Sequence, residues 1–108
     1  MTSIHEQIDK EFQLAEQART RSNEGQARVC ARRAAGIAAR EYLTRRGTPV
    51  GNAGAYDLLN LLKDDPLLPP DLRLIANHLT MRVTDAFKLP VDVDLIAEAQ
   101  TLCDELLK

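Results

Sequence analysis

The stretch GQARVCARRAAGIAAREYLTRRG, residues 25–47, decides the fold of this 108-residue chain. Alanine is the strongest helix former, and nothing inside the stretch interrupts a helix before Gly47. Asn23 with Gln26 provides a cap signal for the helix start. The stretch therefore predicts a long helix ending at Arg46. Its apolar stripe consists mostly of small residues: Ala27, Cys30, Ala31, Ala34, Ile37, Ala38 and Tyr42. Gly36 adds a point where another backbone can approach closely.

The composition agrees with a helical protein. Hydrophobic residues make up 44% of the chain and aromatic residues only 4%, with no tryptophan. Leucine, isoleucine, valine and alanine must then form the core, which favours helices and excludes a β-sandwich. We expect a single helical domain spanning residues 1–108.

Cap signals and apolar spacing predict four further helices. Ser3 and Glu6 form a capping box for a helix running to about Arg21. A loop at residues 47–54 precedes a short leucine-rich helix that residues 63–66 end. A fourth helix is predicted from Pro70 to about Thr84, and a fifth from the cap Asp92 to about Leu107. Four long helices and one short one predict an all-α, five-helix up-and-down antiparallel bundle.

Charge is strongly segregated along the chain. The segment from residue 19 to residue 46 carries +6, whereas residues 1–18 carry −3 and residues 47–108 carry −5. Arginine binds phosphate or carboxylate through two parallel N–H groups, so this segment could bind RNA, a nucleotide or an acidic partner. The candidate binding residues are Arg28, Arg32, Arg33 and Arg40. Alternatively, the arginines pair with the acidic first and last helices of the same bundle.

Arg73 and His78 are the candidate catalytic residues. An imidazole can transfer protons near neutral pH, and a nearby arginine can hold a phosphate. Within an ideal helix, however, the two side chains point roughly 140° apart. His78 shares a helix face with Asp71, Arg82 and Asp85, which suits an ordinary solvated polar stripe.

The remaining polar residues predict no metal centre and no cofactor. Cys30 and Cys103 lack ligand spacing, and we expect both to be reduced thiols that fill core space. The carboxylates of Asp64, Asp65, Asp92 and Asp94 lie at predicted helix boundaries, where capping explains them. No signal peptide or membrane span is predicted, so we expect a cytoplasmic, complete protein.

Four stretches together resemble the HEPN superfamily of small all-helical domains. They are the stretch quoted above, AYDLLNLL, LPPDLRLIANHLTMRV and DVDLIAEAQTLCDELL. The first looks like the alanine-rich HEPN helix that ends in a glycine, and the last looks like the closing helix of that domain. The resemblance covers about four fifths of the chain and implies a HEPN-like fold.

The same resemblance implies two functions. Active members are metal-independent ribonucleases with arginine, four to six residues and then histidine, usually contributed by both subunits of a dimer. Arg73 would contact the scissile phosphate and His78 would transfer a proton, although the polar residue common after the arginine is here Leu74. Other members are binding modules, including partners of minimal nucleotidyltransferases. We expect a homodimeric binding module without robust catalysis; a ribonuclease and an arginine-based RNA or anion binder are the alternatives.

Overall fold

The computed structural model describes residues 3–81 and 93–108, and every regular element in these ranges is an α-helix. This confirms the all-α prediction. The helices are α1 (Ile4–Thr20), α2 (Glu24–Arg45), α3 (Ala55–Lys63), α4 (Pro70–Thr80) and α5 (Leu95–Leu106).

The starts of α1 and α2 follow the cap signals. The Ser3 hydroxyl accepts a hydrogen bond from the Glu6 N–H at 3.1 Å. The Asn23 side-chain oxygen accepts from the Gln26 N–H at 3.2 Å. Gly47, just past the end of α2, has a φ of +79°, a conformation that glycine adopts without steric cost.

Two predicted boundaries are wrong. The fourth helix ends at Thr80 rather than Thr84, because Met81 is already extended, with ψ at 142°. The fifth helix is capped by Asp94 rather than Asp92: its carboxylate accepts from the N–H groups of Ile96 and Ala97. Asp92 itself lies outside the described residues.

The helix α2 is the centre of the bundle. It packs against α1, α3 and α5, whereas α4 packs mainly against α3 and α5. The buried positions of α2 are almost all small: Ala27, Cys30, Ala31, Ala34, Ala35, Gly36, Ala38, Ala39 and Leu43. Leucines of α3, α4 and α5 fill the larger volumes around them.

Gly36 marks the closest approach between α2 and α3. A Cβ atom added at Gly36 would lie 2.6 Å from the Cβ of Ala55, the first residue of α3. Real Cβ atoms do not come so close, so the two helices would have to separate. The sequence-based expectation that Gly36 permits close helix packing is confirmed.

We predict that Gly36→Ala lowers the free energy of unfolding by about 1–3 kcal/mol, because the added methyl group overpacks the contact with Ala55. Gly25→Ala is the matched control in the same helix, since its Cβ would meet only the Asn23 oxygen at 3.8 Å. It should stabilise the helix by about 0.5–1 kcal/mol. Urea denaturation of both variants measures the difference; a Gly36→Ala protein as stable as the wild type would contradict the packing argument.

Candidate functional site

Arg73 is bound to the end of a neighbouring helix. Its Nε donates to the carbonyl of Lys63 at 3.1 Å, and its Nη2 donates to the carbonyl of Asp65 at 2.8 Å. The last carbonyls of a helix lack partners within that helix, and a cation there also favours the helix dipole. Arg73 thus ties α4 to the C-terminal end of α3.

His78 is buried between α4 and α5. The residue is 9% exposed, and its Nδ1 lies 2.8 Å from the Glu98 Oε1 on α5. The prediction of a solvated polar stripe is therefore wrong for His78: α5 covers this face of α4, and a carboxylate on α5 satisfies the imidazole. Arg73 and His78 face different neighbours, and no hydrogen bond or ion pair joins them within residues 3–81 and 93–108.

The candidate binding arginines divide into two pairs. Arg32 donates to the Leu79 carbonyl at 2.7 Å, near the end of α4. Burial lowers the pKa of its guanidinium. Arg40 donates to the carbonyls of Gly51 and Ala53, at 2.9 and 2.6 Å, in the loop before α3. Arg28 and Arg33, in contrast, make no hydrogen bond or ion pair with any described residue.

The arginines that form ion pairs mostly do so close to α2. Arg45 pairs with Glu41 on the same helix at 2.9 Å. Among the described residues, one arginine ion pair joins the first and last helices: Arg19 on α1 lies 3.1 Å from Asp94, the cap of α5. The expectation that the arginines pair with the acidic first and last helices is therefore wrong for most of them, because carbonyls and carboxylates nearer to α2 take their place.

Asp65 is a buried polar centre that the sequence-based capping assignment missed. It is 7% exposed and accepts from the Tyr42 hydroxyl at 2.7 Å, from Arg46 at 3.1 Å and from the Leu67 N–H at 3.0 Å. Burial by itself raises the pKa of the Asp65 carboxyl. The hydrogen bonds from Leu67 and Tyr42 and the charge of Arg46 outweigh burial and hold this pKa below its ordinary value.

The Asp65 contacts join the end of α2 to the turn between α3 and α4. Burial and the bond to Asp65 in turn raise the pKa of Tyr42. Tyr42 and Arg46 are four residues apart at the end of α2, and this shared face is the signal that could have indicated a polar partner. We assign the cluster a structural role, because its groups satisfy one another.

An open groove lies between α1 and α5, which both pack on α2 but contact each other little. We call it the α1–α5 groove; its volume is about 900 Å³. Its apolar lining comes from two pairs of residues, each spaced four apart: Ile8 and Phe12 on α1, and Cys103 and Leu107 at the end of α5. Cys103 is a free, buried thiol whose pKa burial raises to about 12, so it contributes apolar surface rather than reactivity.

The rim of the α1–α5 groove is acidic. Asp9 and Glu16 on α1 and Asp104 on α5 line it, all three exposed. None of these carboxylates forms an ion pair or hydrogen bond with another described residue. Lys108, the ammonium group among the described residues of the rim, is paired with Glu105 at 2.8 Å.

A smaller cavity, of about 310 Å³, lies between α1, α2 and the start of α3. Ile37 and Leu58 contribute apolar surface to it, while Arg33 and Arg40 contribute charge. Arg33 is exposed there, whereas Arg40 already donates to loop carbonyls. This is the place where the structure brings two of the predicted binding arginines together.

Comparisons with protein-family models, with curated proteins and with solved structures find no match to this chain. Among the described residues there is no cluster of three or more histidine, cysteine, aspartate or glutamate side chains that could hold a metal ion. None of the described helices has both the length and the hydropathy needed to cross a lipid bilayer.

We predict that Asp65→Asn lowers the free energy of unfolding at neutral pH by about 2 kcal/mol, because hydrogen bonds to a charged acceptor are lost. The exposed neighbour Asp64 provides the control: Asp64→Asn should change stability by less than about 0.5 kcal/mol. Chemical denaturation of the three proteins measures both values.

The difference in the free energy of unfolding between the wild type and Asp65→Asn should depend on pH. The pKa of Asp65 is lower in the folded protein than its ordinary value of 3.8, so the ionised carboxylate stabilises the fold fully above about pH 3.8. This stabilisation is lost as the pH falls from 3.8 towards the pKa of the folded protein. The difference in unfolding free energy between the wild type and Asp65→Asn should therefore decrease as the pH is lowered from about 5 to about 2. A gap that stays constant over this range would contradict the assignment.

Proposed function

We propose that this chain is a HEPN-like, cytoplasmic binding module that acts through its surfaces and has no robust catalytic activity. The α1–α5 groove carries this proposal. It has a volume of about 900 Å³, its lining includes the apolar side chains of Ile8, Phe12 and Leu107, and no described segment of the chain fills it. Grooves of this kind between helices are common places for a partner to bind.

The environments of Arg73 and His78 support a binding module that does not catalyse RNA cleavage. A catalytic base must reach the proton that it removes, and a phosphate-binding arginine must present free N–H groups. His78 is buried against Glu98, and Arg73 donates to two backbone carbonyls. Both side chains thus already serve the contacts between helices.

Anion or RNA binding is a second candidate, favoured by one observation. Arg33 is exposed beside the smaller cavity, has no partner among the described residues, and lies near Arg40. Arg32 and Arg40, however, are engaged by backbone carbonyls. Of the four predicted arginines, Arg28 and Arg33 are the two whose N–H groups have no partner among the described residues and could bind a phosphate.

We predict no His78-dependent cleavage when the purified protein is incubated with single-stranded and structured RNA in EDTA. The wild type and His78→Gln should give identical RNA profiles on a denaturing gel, because the imidazole is buried and its Nδ1 already lies 2.8 Å from the Glu98 carboxylate. Circular dichroism of His78→Gln checks that the variant is folded.

Two outcomes of this experiment would overturn the proposal of a non-catalytic binding module. Cleavage by the wild type that disappears in His78→Gln establishes the ribonuclease. RNA retention without cleavage favours the second candidate, provided that Arg33→Gln weakens it and that affinity falls steeply as salt rises.

Homodimerisation belongs to the proposal, but the small-residue face of α2 cannot supply the dimer surface. The small residues of α2 are buried inside the chain against its own helices. Leu67, in the turn before α4, and Leu74, within α4, are 68% and 54% exposed and are available for a second copy.

We predict a dimer mass at micromolar concentration, measured by light scattering after size exclusion. The double change Leu67→Ser and Leu74→Ser should shift the protein towards the monomer, because it removes exposed apolar surface. Leu14→Ser, at another exposed leucine on α1, is the control and should leave the mass unchanged. A wild-type monomer under these conditions removes the dimer from the proposal.

A further inference from the structure

The shape of the α1–α5 groove fits a helix. Its α1 wall runs from His5 to Gln17, which is about 18 Å of helix length. A guest helix of about 12 residues has the same length. The apolar pairs Ile8–Phe12 and Cys103–Leu107 repeat every four residues, which matches the spacing of apolar side chains along one face of a guest helix.

The charge of the groove restricts the guest further. Asp9, Glu16 and Asp104 are carboxylates at the rim that form no ion pair with another described residue. No lysine or arginine lies within α5, and α1 carries more acidic than basic residues. An acidic rim above an apolar floor is complementary to a helix with an apolar face and flanking lysines or arginines.

We propose that the α1–α5 groove binds a basic amphipathic helix from a partner protein. This inference rests on the proposed function as a binding module and names the chemistry of the partner. The guest places apolar side chains against Phe12 and Leu107, and its lysines or arginines face the carboxylates of Asp9, Glu16 and Asp104.

A second copy of the chain is a poor occupant of the same groove. Two α1–α5 grooves packed face to face would bring six unpaired carboxylates together, which is repulsive. The basic helix α2 cannot serve as the guest either. Most of its apolar residues are buried in its own bundle, so it has no continuous apolar face to offer the groove.

Three labelled helical peptides of about 14 residues test the proposal. They share the same leucine anchors and differ only in the polar face, which carries lysine, glutamine or glutamate. Fluorescence anisotropy gives the dissociation constants, and amide shifts in the ¹⁵N spectrum of the full chain locate the binding surface. We expect the lysine peptide to bind at least tenfold more tightly than the glutamine peptide, with shifts confined to α1, α5 and residues 107–108.

A matched pair of charge variants tests the role of the rim. Asp9→Asn, Glu16→Gln and Asp104→Asn, combined, should weaken binding of the lysine peptide about tenfold and leave the glutamine peptide unchanged. Asp57→Asn, Asp64→Asn and Asp71→Asn, combined, change the net charge equally at exposed positions outside the groove. This control should bind the lysine peptide like the wild type.

The binding results distinguish a failure of the basic-helix proposal from a failure of the proposed function as a binding module. Equal affinity for the lysine and glutamine peptides, or equal weakening by the two triple variants, overturns the basic partner and leaves a binding module with another guest. If no peptide shifts the resonances of α1 and α5, the groove is not a helix-binding surface, and the proposed function loses its basis as well.

Discussion

The bundle depends on the absence of side-chain bulk along α2. Alanines and one glycine occupy the positions where α1, α3 and α5 pack against it. Small side chains let the neighbouring helices come close, so that leucines from these helices reach across and fill the core. The contact between Gly36 and Ala55 is the extreme of this arrangement, because even one methyl group has no room there. The low aromatic content of the chain is consistent with this close packing, because large aromatic rings would hold the helices apart.

Features of the fold that depend on local sequence could be predicted, whereas contacts between distant helices could not. The starts of α1 and α2 and the inward faces of the helices are set by local patterns, namely cap residues and apolar spacing. The roles of His78 and Asp65 depend on helices distant in sequence: Glu98 on α5 reaches His78, and Tyr42 and Arg46 on α2 reach Asp65. A polar residue looks the same in a sequence whether another helix covers it or water does. Composition therefore indicated the helices but not the polar contacts between them.

The arginines show how a charge count differs from an interaction surface. The +6 segment suggested an anion-binding stripe. In the structure, Arg32 and Arg40 of this segment donate instead to backbone carbonyls at a helix end and in a loop, and Arg73, outside the segment, also donates to a carbonyl at a helix end. A planar guanidinium suits this task because it offers several N–H groups to neighbouring carbonyls and keeps its charge at any physiological pH. The bonds from Arg32 and Arg73 reach carbonyls in the last turns of the short helices α4 and α3, where carbonyls lack partners within the helix.

The α1–α5 groove is built from the two ends of the chain. Its walls come from the first and the last helix, and the contact from Cys103 to the Ala34 carbonyl joins residues 69 positions apart. The helix α1 can pair with α2 early, because the two are adjacent in sequence, whereas docking of α5 closes a long loop. The groove therefore exists only after α5 has been made and has packed against α2 beside α1. A ligand that binds there recognises the finished protein and, by mass action, stabilises all five helices and not only the two that it touches.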